Sequence, residues 1–220
     1  MSDWIELFNG RDVTGWTAAG DHAWKTAAGV SLDPEDPTRL CIALGDGVLI
    51  NGDTGRTLDI RTCTEHGSCD LSLDFCVPQG SNSGVYLMGQ YEIQILDSWG
   101  TPDEELKFGS NGGIYARWVA ETRTPYDGHA PRTNPSRPPG EWQTLEVRFH
   151  APQFDAAGRK TANPRFERVT LNGVLIHADV ECTGPTRGAW NDADIPLGPL
   201  RLQGDHGPVA YRNLRLRPLG

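Results

Sequence analysis

Apolar and polar residues alternate with a period of two along much of the chain. Residues 69–77 (CDLSLDFCV) alternate almost without a break. The runs at 84–88 and 91–96 follow, separated by the turn-like pair Gly89-Gln90. Further alternating runs fall at 142–149, 165–171, 174–176, 199–203 and 213–216. Such a period places one apolar face on each strand and predicts half-buried strands of antiparallel sheets. Leu171-Asn172-Gly173-Val174 joins two of these runs through an Asn-Gly pair, which predicts a two-residue hairpin. Helical signal is confined to residues 102–107, one turn with Thr101 as its cap. Residues 122–140 carry five prolines and, like 184–198, read as long surface loops of the kind that are functional or mobile. With no repeat and no linker, residues 1–220 are expected to form one all-β domain, two antiparallel sheets packed face to face.

The phase of each strand sorts its side chains. In 91–96, Ile93 and Ile95 point to the core, which leaves Glu92 and Gln94 side by side on the outer face and Asp97 at the strand end. Asn82 and Tyr86 share one face of the preceding strand. Leu200 and Leu202 face inward, Arg201 and Gln203 outward, and Asp205 and His206 occupy the turn beyond. A solvated sheet face is the plainer account of any one of these residues. Their kind points elsewhere, because Gln, Asn, Tyr and Arg offer the flat, directional hydrogen bonding that sugar hydroxyls require. Trp99, Trp118 and Trp190 add aromatic faces, whereas Trp4, Trp16, Trp24 and Trp142 read as packing residues.

Composition narrows the field. The 26 glycines and 16 prolines among 220 residues mean a chain that turns often. A formal charge of −9 argues against nucleic acid and anionic membrane surfaces as partners. No run of 18 apolar residues suggests a spanning helix, and residues 1–10 do not read as a signal peptide; a cytoplasmic protein or a mature exported form is expected. Five cysteines, an odd number, are read as free thiols, with a Cys63–Cys69 bridge as the alternative. No nucleophile elbow, phosphate loop or dinucleotide motif is present. The six histidines are scattered, so no metal ligands are assigned; oxygen-ligated calcium at a sandwich rim stays open.

Several segments resemble one family. Residues 7–16 (LFNGRDVTGW) are similar to the start of the 3-keto-disaccharide hydrolase domain family. Residues 82–87 (NSGVYL), 91–97 (YEIQILD), Gly113-Ile114-Tyr115 and Pro139-Gly140-Glu141-Trp142 follow in the family's order, and 202–213 (LQGDHGPVAYRN) is the most specific match. Gln143 stands where many members carry Asn. The resemblance implies a concanavalin-like, jelly-roll sandwich that acts on sugars already oxidised to a ketone at carbon 3.

The chemistry of such a substrate sets the requirements. A ketone at carbon 3 acidifies the hydrogen on carbon 2, so a base can form an enolate, expel the group on carbon 1 and leave an enone for water to hydrate. That route needs a base, a donor or cation for the enolate oxygen, and an acid for the leaving group. The catalytic expectation is Glu92 or His206 as base, Asp97 in support, and Arg201 with Gln203 at the oxyanion. Tyr115 or Tyr86 would protonate the leaving oxygen, while Asn82, Gln94 and Trp99 join these in holding the sugar. No cofactor is required on this expectation, and a Ca²⁺, Mg²⁺ or Mn²⁺ ion could take over polarisation of the ketone. The partner is a small sugar; self-association stays open. Three other readings compete: a lectin-like module without catalysis, an ordinary glycosidase with two carboxylates about 5 to 9 Å apart, and an adhesion domain.

Overall fold

The structure is a computed structural model that describes residues 3–219. Two antiparallel sheets of eight and five strands make the framework. The larger runs, in spatial order, Val174–Glu181, Arg165–Leu171, Gln143–His150, Cys69–Cys76, Ala210–Pro218, Leu40–Ile50 and Lys25–Leu32, with Ile5–Glu6 pairing onto Ala210–Pro218. The smaller runs Trp16–Thr17, Ile60–His66, Gly198–Leu202, Asn82–Leu87 and Tyr91–Leu96. Two further two-stranded ribbons lie outside them. No helix among the described residues is long and apolar enough to cross a membrane.

The core lies between the two main sheets. Leu71, Leu73 and Phe75 from the larger sheet pack into one cluster with Val85, Leu87, Ile93, Ile95, Leu200 and Leu202 from the smaller. These are the inward residues that the period of two selects, and all are essentially sealed from solvent. Trp16 and Trp24 belong to the same cluster, as their packing role predicted. The Asn172-Gly173 hairpin is present, with Leu171 opposite Val174 and both turn residues at positive φ.

The helical turn differs from expectation. It shrinks to a 3-10 turn at Asp103–Glu105, and its cap position is Pro102, with no side-chain cap bond. Proline supplies a fixed φ there but no side-chain acceptor. The Lys25–Leu32 and Leu40–Ile50 strands carry no clean alternation, since Gly29, Gly45 and Gly47 interrupt them and the ladder shifts register between Ala27 and Gly29. All five cysteines are free thiols.

Candidate active site

The smaller sheet puts polar side chains on its outer face by strand register alone. Tyr86 lies directly opposite Glu92, Gly84 opposite Gln94, and Arg201 opposite Tyr86 on the other side. Directly opposed residues on one face hold their Cβ atoms about 5 Å apart, so Glu92, Tyr86 and Arg201 form a row across three strands. Gly84 makes room for it: a Cβ there would stand 2.2 Å from Glu92 Oε1.

This face is not solvated. Glu92 and Gln94 are each 3% exposed and Tyr86 is equally covered. The cover is the segment that follows Cys182. Thr186 N–H donates to the Gln90 carbonyl at 3.0 Å, and Glu92 N–H to Thr186 Oγ1 at 3.1 Å. Gln90 Nε2 donates to the carbonyls of Asn191 and Ala193. Arg201 Nη2 donates to the Gly188 carbonyl at 2.6 Å, and the Arg61 guanidinium lies 3.6 Å from the Trp190 ring centroid. Residues 184–198 therefore form a roof, pinned along both sides. Its residues also line two pockets, one of about 330 Å³ with Asp59, Arg61 and Arg201, and one of about 350 Å³ with Arg117, Trp118 and Arg187.

The electrostatics follow from burial. Desolvation pushes the Glu92 carboxyl up to about 8, and the Tyr86 hydroxyl with the charges of Arg201 and Arg187 only partly offsets this. Near neutral pH the group is mostly protonated yet within reach of ionisation, the range suited to proton transfer. Tyr86 is also raised, chiefly by burial, so it remains a neutral donor. Burial raises Asp59 as well, against a backbone hydrogen bond from Gly204 and the Arg201 charge. Arg201 lies 3.8 Å above the Tyr86 ring and its Nε is 3.6 Å from Asp59 Oδ2. That Nε is buried without a hydrogen-bond partner, a donor left over for an incoming oxygen.

The remaining expected residues spread outward from this row. Gln94 Nε2 donates to Asn82 Oδ1 at 2.7 Å, extending the row along the strands. Tyr115 flanks it; its N–H donates to the Glu92 carbonyl and its ring meets Phe108 edge-on at 5.2 Å. Gln203 is half-buried and donates its N–H to the Gly84 carbonyl. Asp97 turns away: its carboxylate accepts from Gly80 N–H and Trp99 N–H. An unbroken strand from residue 92 to 96 carries Asp97 roughly 16 Å along from Glu92, too far for the two to work as a glycosidase pair. Trp99 is 57% exposed beyond the strand end. His206 is exposed on a separate rim beside Asp205. Among the described residues no group of three or more His, Cys, Asp or Glu gathers as a metal site. Sequence reasoning missed Asp59, Arg187 and the space-making Gly84. Asp59 and Arg187 arrive from segments remote in sequence, and only the long loop signal at 184–198 hinted at one of them.

A jelly-roll sandwich of two antiparallel sheets, with a buried Glu and Tyr and a half-buried Arg in a row on one face, is the class defined here. The chain belongs to the 3-keto-α-glucoside-1,2-lyase-like domain family, whose model matches residues 3–217. The family is one of carbohydrate-active hydrolases and lyases. Two solved structures from Parabacteroides distasonis, both described as candidate glycosyl hydrolases, share the fold. One is 24% identical with a TM-score of 0.67, covering 99% of this chain and 84% of that one. The other is 19% identical with a TM-score of 0.62, covering 99% and 100%. No curated protein gives a significant match.

Proposed function

We propose that the protein cleaves 3-keto-glycosides by removing the carbon 2 proton, with Glu92 as the base. The observation that carries this reading is the single row of Glu92, Tyr86 and Arg201, in which a sealed carboxyl faces a phenol and a guanidinium with a free donor. The Glu92 carboxylate takes the hydrogen from carbon 2, and the electron pair moves onto the ketone oxygen. Arg201 binds that oxyanion through its unpartnered Nε. The enolate then collapses: the carbon 1–oxygen bond breaks, a double bond forms between carbons 1 and 2, and Tyr86 gives its proton to the leaving oxygen. Water adds at carbon 1 of the enone, a proton returns to carbon 2, and the net change is hydrolysis. Asp59 holds Arg201 in place; Asn82 and Gln94 bind hydroxyls.

The test is a paired assay of nitrophenyl glucoside and its 3-keto derivative. Release from the 3-keto compound alone is expected. Equal release from both would mean an ordinary glycosidase, and binding without release from either would mean a lectin-like module.

A further inference from the structure

A second and larger cavity lies off the row described above. It is a cleft of about 600 Å³ whose floor is aliphatic, made by Val30, Leu40, Ile42 and Ile50. Val30, Leu40 and Ile42 are only partly covered by protein. The rim carries two carboxylates, Asp36 and Asp53, and two guanidinium groups, Arg39 and Arg56. These four charges balance. A site with an aliphatic floor and no net rim charge selects an uncharged ligand with an apolar body. It contains no Trp or Tyr, the rings on which a second sugar would stack.

A shallow depression lies between the cleft and the candidate active site and shares lining residues with each. Asp205 and Leu58 line both the Asp59–Arg201 pocket and this depression, and Arg56 lines the depression and the cleft. The divider is the turn 204–208, with Asp205 on one side and His206 on the other. That turn is built to stay put. Buried Asn51 donates to the carbonyls of Gly204 and Gly207 and accepts from Val209 N–H. Gly55 lets the chain pass so near that a Cβ there would stand 2.1 Å from Pro208 N.

We infer that this cleft is the leaving-group subsite, and that the leaving group is an uncharged alcohol with an apolar body that reaches it over the Asp205–His206 turn. The inference rests on the 3-keto-glycoside reading for the word leaving, and on the cleft itself for the ligand's chemistry. His206 is thereby a subsite residue at the lip rather than a base.

Two measurements test it together. The first compares kcat/KM for methyl and hexyl 3-keto-α-glucosides in the wild type and in Ile42→Gln, a partly exposed position. The hexyl compound should be at least tenfold better, and Ile42→Gln should erase the preference without changing turnover of the methyl compound. The second follows the methyl NMR signals of Val30, Ile42 and Ile50 during titration with unoxidised hexyl glucoside, with methyl glucoside as control. Shifts with the hexyl compound only are expected. Equal turnover of both keto substrates with unmoved signals would overturn the subsite and leave the proposed reaction standing. Shifts without any turnover would uphold an apolar ligand site and sink the 3-keto reading. Neither turnover nor shifts would sink both.

Discussion

Asp70 and Glu92 are each the second residue of a strand, on the outer faces of the two sheets, and both are covered, at 5% and 3% exposure. Their carboxyls behave in opposite ways. Asp70 accepts from Arg148 Nε at 2.8 Å and Nη2 at 3.1 Å, and also from Arg217. The Arg148 hydrogen bonds, with help from Arg217, hold it below the usual carboxylate range. Glu92 has no comparable ion pair, and desolvation drives it up. Surface exposure alone therefore does not determine a carboxyl's character; how deeply it is buried and which hydrogen-bonding cation faces it do. The larger sheet uses its acid to fasten strands together. The smaller sheet keeps its acid in a less stable form, which is what proton transfer needs.

The largest effect should come from swapping the acids for amides. Glu92→Gln is expected to lower kcat on a 3-keto-glycoside by about a thousandfold or more, whereas Asp70→Asn leaves kcat unchanged. Asp70→Asn should instead lower stability by about 1–2 kcal/mol, as the partly exposed arginines exchange a carboxylate for a neutral amide with one acceptor oxygen but keep water, read by urea denaturation. Gly84→Ala probes the same acid sterically, and a loss of turnover near that of Glu92→Gln is expected with the fold retained by circular dichroism.

Next comes the oxyanion partner. Arg201→Met should cost about a hundredfold or more in kcat/KM. Tyr86→Phe should cost less, about tenfold to a hundredfold, and least with a nitrophenolate leaving group that needs no proton.

The smallest effects are those of pH. With Glu92 as base, kcat/KM should climb with pH and level off above about 8. Stability runs the other way. The folded state keeps the Glu92 proton after the unfolded chain has lost its own, so this group's contribution falls as pH rises from about 4.5 to about 8. His66 and His177 are pushed down to about 4 by burial, so their contribution rises with pH between about 4 and 6.5. Two histidines outweigh one Glu, so thermal melts should show the highest Tm near pH 6.5, where the histidine gain runs out and the Glu92 loss continues, and Glu92→Gln should flatten the alkaline limb.

Much of the frame was legible in the sequence because a period of two is imposed by the core. Tyr91–Leu96 and Arg165–Leu171 have the predicted bounds, and Ile93, Ile95, Leu200 and Leu202 are buried as phased. Ala210–Pro218 extends well past the 213–216 reading, since positive φ at Asn213 and a register shift beside it break the alternation midway. The pairing of Tyr86 with Glu92 came only with the register, but the shared face of Glu92 and Gln94, and that of Asn82 and Tyr86, were legible from the phase. Their burial was not. The pattern marks Glu92 and Gln94 as outward, and outward reads as wet until the roof from residues 184–198 is placed over them. Asp97 and His206 lie away from the Glu92 row, because a strand end and a tight turn aim side chains in ways that alternation does not encode.

The central claim, that Glu92 removes the carbon 2 proton, is tested most directly by exchange. A 3-keto-glycoside in D₂O is incubated with enzyme and the carbon 2 position of residual substrate and product is followed by NMR. The account predicts deuterium at carbon 2 with the wild type and none above the uncatalysed rate with Glu92→Gln. Exchange by Glu92→Gln at the wild-type rate, or cleavage by the wild type with the carbon 2 hydrogen retained, would contradict it.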